Sequence, residues 1–253
     1  MKIYVYVFLF SLMVWVSHAC AADTYRFVGT TFPLILQNGP DGKLEGVSVD
    51  IINDIAQEQN FNFSIEILPW QRALSMVKNG QADVLIGPYK SEEREKFMSF
   101  STSHFYEDRM VFLRTSHLTF HWDGNFNAVK SLKILTIKSW AYGKRFDDHR
   151  ADLKIEETIY PNHALKMLQK GRADLLAFNE RNAIAEIKKN QLENTIIICE
   201  PSFSKAKGYF GFSKIKQTTD LQNKFNMALD TMLANGTITE HNARYGLNFQ
   251  NTP

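Results

Sequence analysis

The chain has 253 residues, and its 29 Lys and Arg stand against 27 Asp and Glu, for a formal net charge of +2. Such a balance leaves no global field to recruit nucleic acid or an anionic membrane surface. Two cysteines, Cys20 and Cys199, are too few for a disulfide framework.

At the N-terminus Lys2 precedes an apolar run from Ile3 to Val16 and then Ser17-His-Ala-Cys-Ala-Ala22. Ala19-Cys20-Ala21 fits the small-x-small rule of signal peptidase, so residues 1–21 are predicted to be a signal peptide, cleaved after Ala21 or one residue later. The run is shorter than the roughly twenty residues that span a hydrocarbon core. A lipoprotein attached through Cys20 is the alternative; Ser17 and His18 speak against it, standing where an aliphatic and a small residue are expected. The mature chain of about 232 residues is one large domain or two small ones. It retains only Cys199, which closes the apolar run Ile196-Ile-Ile-Cys199 and reads as a buried strand residue rather than a nucleophile.

Alternating elements follow, which argues for α/β lobes. Tyr25 to Gly29 is a predicted strand, and Asn38-Gly-Pro-Asp-Gly42 is turn chemistry. Ser48 or Asp50 is expected to cap a helix with the buried stripe Val49, Ile52, Ile55 and Ala56. Phe63 to Leu68 is a second strand; a helix from about Trp70 and the strand Val84 to Ile86 come next. Arg109 to Leu113 is predicted to cross between lobes. Beyond it stand the strand Lys133 to Ile137, a helix opening near Ala141, the strand Lys154 to Ile159, another helix and strand, and the strand Thr195 to Cys199. Gly208 to Phe212 would carry the chain back. A last helix has a predicted capping box, Thr219-Asp-Leu-Gln222, a stripe of Leu221, Phe225, Ala228, Leu229 and Met232, and a stop at Asn235-Gly236.

Two stretches repeat each other. Arg72-Ala-Leu-Ser-Met-Val-Lys-Asn-Gly-Gln-Ala-Asp-Val-Leu85 and His163-Ala-Leu-Lys-Met-Leu-Gln-Lys-Gly-Arg-Ala-Asp-Leu-Leu176 agree at seven of fourteen positions, 91 residues apart. Each reads as an amphipathic helix after a proline, closed by a glycine and followed by an apolar strand. Two copies at this separation imply two similar lobes, with a cleft between them where a small ligand binds.

The order Phe32-Pro33, Gly46-Val-Ser-Val-Asp50, Trp70-x-Arg72-Ala-Leu74, Gly80-x-x-Asp83, Glu93-Arg94, Phe100-Ser101 and Asn235-Gly236 to Tyr245-Gly246 resembles bacterial extracellular solute-binding proteins of family 3. These are periplasmic amino-acid receptors of ABC importers, and the resemblance covers essentially the whole mature chain. It implies an α/β fold of periplasmic-binding-protein type II, with two Rossmann-like lobes joined by two crossing strands. Residues 22–112 and 212–253 would form lobe 1 and residues 113–211 lobe 2. A soluble monomer is expected.

In open parallel sheets ligands sit beyond the carboxyl ends of the strands. The repeat strands are followed by Gly87-Pro-Tyr-Lys-Ser-Glu-Glu-Arg94 and Phe178-Asn-Glu-Arg181, which should face the cleft from opposite sides. Arg94 is the leading candidate: a guanidinium matches a carboxylate bidentately, and the resemblance gives this position to the ligand's α-carboxylate. The bland reading is an exposed arginine paired with Glu92 or Glu93. By resemblance Gly87 and Tyr89 stand where receptors present a carbonyl and a small hydroxyl residue, and Tyr89 is much larger. Asn179 stands where an acidic residue usually meets the ligand's ammonium; it brings no charge, and Glu180 beside it need not point the same way. A carboxylate lacking the amine is therefore an open possibility. Trp140 falls where the family has a Gly-Thr-like segment opening a helix. Phe32, Trp70, Tyr89 and Trp140 together suggest a flat or cationic ligand moiety.

His117 and His121 lie in a strand-and-turn context that does not suit zinc, and no nucleotide, hydrolase or metalloprotease motif occurs, so no cofactor or metal is expected. Three outputs follow. The first is delivery of an amino acid or related carboxylate to an ABC permease; the others are a sensor module for a membrane signalling protein and a cyclohexadienyl-dehydratase-like enzyme, with Glu180 or Glu92 as its acid.

Overall fold

The computed structural model describes residues 24–249. The predicted signal peptide lies outside them. The strands are β1 (Thr24–Gly29), β2 (Gln37–Asn38), β3 (Leu44–Glu45), β4 (Asn62–Ile67), β5 (Val84–Tyr89), β6 (Met98–Phe100), β7 (Tyr106–Thr115), β8 (Lys133–Ile137), β9 (Lys154–Thr158), β10 (Leu175–Asn179), β11 (Ile196–Ile198) and β12 (Ser204–Ser213). The α-helices are α1 (Val47–Gln59), α2 (Trp70–Lys78), α3 (Glu92–Glu95), α4 (Lys144–His149), α5 (Pro161–Gln169), α6 (Glu180–Lys189), α7 (Thr219–Ala234) and α8 (Thr237–Arg244).

The main sheet runs β4-β1-β5-β12-β7-β10-β8-β9. Its flanks are parallel triads, β4-β1-β5 on one side and β10-β8-β9 on the other. Each triad has the same connectivity, its first strand lying between the second and the third. Between them, the ten-residue strands β7 and β12 run antiparallel to each other and to the inner strand of each triad. Four apolar clusters fill the molecule. Two lie against the first triad, and the larger takes Leu221, Phe225 and Ile238 from α7 and α8; the other two lie against the second triad.

The repeat is visible in three dimensions. Pro69 is the N-cap of α2 and Pro161 the first residue of α5. Gly80 and Gly171, at φ 69° and 66°, close the two helices in the left-handed region that glycine enters freely. The shared aspartates do the same work in both halves. Asp83 Oδ2 accepts from Arg26 N at 2.8 Å and Asp174 Oδ2 from Lys133 N at 2.7 Å, so each satisfies a backbone donor near the start of the neighbouring strand.

Several local expectations are corrected. The N-cap of α1 is Gly46, at φ 127°, and Ser48 instead donates to Ile35 O at 2.6 Å. A Cβ at Gly46 would lie 2.4 Å from that same carbonyl oxygen, which is why glycine stands there. Thr218, not a box at Thr219–Gln222, precedes α7; its hydroxyl donates to Ser213 O, and the Gln222 amide donates to Phe100 O. The helix expected near Ala141 is α4, which begins at Lys144 after Gly143. Cys199 is buried as expected, and burial pushes its thiol up to about 11.

Candidate functional site

A cavity of about 620 Å³ lies between the two triads, within the usual range for small-molecule sites. All six parallel strands deliver their carboxyl ends to it. Thr30 to Pro33 follow β1, Pro69 to Arg72 follow β4, and Ile86, Gly87 and Tyr89 belong to β5. From the other half come Lys138, Trp140 and Ala141 after β8, Ile159 to Asn162 after β9, and Phe178 and Asn179 of β10. Helix α6 adds Asn182, Glu186 and Lys189.

Seven of the eight candidate residues therefore line one cavity: Phe32, Trp70, Gly87, Tyr89, Arg94, Trp140 and Asn179. Glu180 does not. It is the first residue of α6 rather than a loop residue, and Arg109 Nη1 donates to its carboxylate at 2.7 Å.

Arg94 is buried, at 5% exposure, which sets aside the alternative of an exposed arginine paired with Glu92 or Glu93. The Ser91 hydroxyl caps the short α3 by accepting from Arg94 N. The guanidinium donates through Nη1 to Tyr89 O at 2.6 Å and through Nη2 to Ser139 O at 2.8 Å, and its centre lies 5.0 Å from the Trp70 ring. Trp70 Nε1 reaches the same Ser139 carbonyl, at 3.1 Å. Among the described residues Arg94 has no carboxylate within ion-pair range, and desolvation pulls its pKa down to about 10. Ser139 presents its carbonyl from a left-handed backbone, φ 66°.

Beneath the aromatic wall is a second buried arginine with the opposite electrostatics. Arg181 binds Asp108 bidentately, Nε to Oδ1 at 3.0 Å and Nη2 to Oδ2 at 2.7 Å. It also donates to Pro33 O and lies 3.9 Å over the Phe32 ring. Tyr89 Oη donates to Asp108 Oδ2 at 2.5 Å, and burial holds this phenol well above its ordinary pKa. Tyr106 Oη donates to Gly87 O at 2.6 Å. Tyr89 is thus part of a fixed network, which accounts for a large residue where a small hydroxyl was expected. Asn179 is spent on structure: its Oδ1 accepts from Asn182 N at 2.8 Å as the N-cap of α6. Trp140 packs against Phe178 with the rings tilted by 37° and centroids 5.0 Å apart.

The partnership of Asp108 with Arg181 is not visible in sequence, since 73 residues separate them. One signal existed for Asp108: it shares a strand face with the buried Tyr106 and Met110. Among the described residues, no group of three or more His, Cys, Asp or Glu could hold a metal ion.

Two α/β halves on one continuous sheet, with every parallel strand ending at a shared cavity, define a protein that encloses a small solute. The model of bacterial extracellular solute-binding proteins, family 3, matches residues 27–248, and the chain belongs to that family. Among curated relatives, the L-cystine-binding protein TcyA of Bacillus subtilis is 22% identical over 212 residues, 84% of this chain and 76% of that protein. A glutamine-binding protein of Geobacillus stearothermophilus is 25% identical, over 72% of this chain and 68% of its own. Among solved structures, a histidine kinase sensor domain with similarity to periplasmic binding proteins aligns with a TM-score of 0.78 at 18% identity, covering 91% of this chain and 99% of its own. An ancestral arginine-binding protein bound to arginine aligns at 0.73 with 20% identity, covering 89% and 99%. At these identities the structural likeness is one of fold, that of periplasmic binding proteins.

Proposed function

We propose that this chain captures a small carboxylate-bearing solute, an amino acid or a related acid, outside the cytoplasmic membrane for an ABC importer. One observation carries the proposal: a buried guanidinium, stacked on an indole in the wall of a solute-sized cavity, with no carboxylate partner among the described residues. A buried cation is costly without a counter-ion, so the site is built to receive an anion. The fork left by two carbonyl bonds still has N–H groups to offer, and a carboxylate matches them. The relatives named for cystine and glutamine binding support the class of solute. Export by the leader, with cleavage after Ala21, and enclosure of the ligand between residues 22–112 with 212–253 and residues 113–211, belong to the same proposal.

The test is a thermal-shift screen of amino acids and organic acids on the mature chain, followed by calorimetry on wild type, Arg94→Ala and Arg94→Lys. A bound ligand raises stability as ln(1 + [L]/Kd). Arg94→Ala should cost about 2–5 kcal/mol of binding, and Arg94→Lys should also bind worse, because an ammonium does not reproduce the fork. Unchanged affinity in Arg94→Ala removes Arg94 from the site and the proposal with it.

A further inference from the structure

If Arg94 anchors one carboxylate, as proposed above, the remaining charges of the cavity say what else the solute carries. A ligand ammonium needs acceptors, and several near the strand ends already accept a bond. Both Asp108 oxygens are held by Arg181, and one also accepts from Tyr89. Asn179 caps α6, the Gly87 carbonyl accepts from Tyr106, and Glu180 is turned to Arg109. Among the described residues one carboxylate lines the cavity, Glu186, and its Oε2 accepts from Asn190 at 3.2 Å.

Cations are in excess. Arg72, Lys138 and Lys189 line the cavity together with Arg94. All three extra cations are exposed. With four positive side chains facing one carboxylate, the potential inside favours a second anionic group and opposes an ammonium. The aromatic walls, Phe32, Trp70, Trp140 and Phe178 among them, suit a flat body.

We propose that the cavity selects an organic acid with a flat or compact body, at least two anionic groups and no amino group. The second anion is met by Lys138 and Lys189 of the second half while Arg94 holds the first. An amino acid would bring its ammonium into this excess of positive charge, with Glu186 the one carboxylate among the described lining residues to answer it, and would lose affinity for that reason.

Two matched sets of probes test this on the mature protein by calorimetry. 3-Phenylpropanoate, L-phenylalanine and benzylmalonate share one framework and carry hydrogen, ammonium or a second carboxylate at the same carbon; succinate, L-aspartate and ethane-1,1,2-tricarboxylate extend the comparison to aliphatic bodies. In at least one set the added carboxylate should tighten binding by about tenfold and the added ammonium should weaken it. In Lys138→Gln/Lys189→Gln the ratio between the di- or tricarboxylate and its parent should fall toward one. If the ammonium compounds bind as tightly as or tighter than their parents and still depend on Arg94, the anchor stands and this inference falls. Failure of all six to bind at millimolar concentration also overturns it, and the wider screen with Arg94→Ala then decides the anchor separately.

Discussion

Asp108→Asn is the sharpest probe of how the floor of the cavity is held. The Asp108 and Arg181 side chains are 4% and 9% exposed, and the carboxylate takes two guanidinium bonds and one phenol bond of 2.5–3.0 Å. An amide of the same shape keeps one acceptor oxygen and turns an NH₂ toward donors, leaving a buried guanidinium without its counter-charge. Breaking such a pair from one side costs about 3–5 kcal/mol, a large part of the roughly 5–15 kcal/mol that stabilises an ordinary domain. Removing the network together, in Asp108→Leu/Arg181→Met/Tyr89→Phe, leaves no orphan charge or hydroxyl and should cost far less than the single change. The more solvated pair Arg109–Glu180, with side chains 40% and 22% exposed, is the control: Glu180→Gln should cost less than about 1 kcal/mol. Urea unfolding of the mature chain, followed by the fluorescence of Trp70, Trp122 and Trp140, measures all three. A loss below about 1 kcal/mol in Asp108→Asn, or a triple variant as unstable as the single one, would refute the reasoning.

Gly208→Ala should fold poorly, because its Cβ would sit 1.9 Å from Tyr106 Cε1 and that ring is pinned by its bond to Gly87 O; a loss of at least about 1–3 kcal/mol is expected, and an unchanged Tm would count against it. Ser139→Gly should instead stabilise the apo protein by up to about 1 kcal/mol, since a left-handed backbone strains any residue with a Cβ; a lower Tm sinks this idea. His104 is buried, and desolvation aided by Lys207 pulls its pKa to about 4 against the opposing pull of Glu107. The unfolded chain binds this proton near the ordinary value of 6.5, so the contribution of His104 is intact above that pH and is lost as pH falls from 6.5 to about 4, by about 3 kcal/mol in all. His104→Phe should flatten that part of a urea-midpoint profile against pH.

The elements that sequence showed well are those whose signals are local. The repeat helices carry their own stop glycines, and β8 was predicted with the bounds it has, because an apolar run between turns needs no partner to be recognised. The crossing strands were read too short. Glu107, Asp108 and Arg109 interrupt the apolar pattern of β7, and each charge is tolerated only through a partner elsewhere: Lys205, Arg181 and the Glu180–Glu200 pair. Helix α6 starts with no connecting residues, Asn179 being both the last strand residue and the cap, so nothing local in the sequence marks Glu180 as a helix start. The site was legible as a place, since the strand ends converge there whatever the side chains are. Its chemistry was not, because whether a polar group is free or committed is a fact of tertiary contact.

The two buried arginines show the difference. Arg181 meets a carboxylate, two aromatic rings and a carbonyl of the opposite half, Pro33 O, and so is complete without a ligand. Arg94 meets an indole and two carbonyls, one of them Ser139 O from the opposite half, and among the described residues no carboxylate comes within ion-pair range of it. Both span the cleft, so on the proposed two-lobe reading separation of the halves would break both contacts and return water to both guanidinium groups. For Arg181 the desolvation cost in the closed arrangement is offset by Asp108. For Arg94 it is offset only when an anion shares the cavity. On the reading proposed here, that difference is the free energy by which a carboxylate favours the closed arrangement over the open one, because a ligand shifts such an equilibrium only by its differential affinity for the two states.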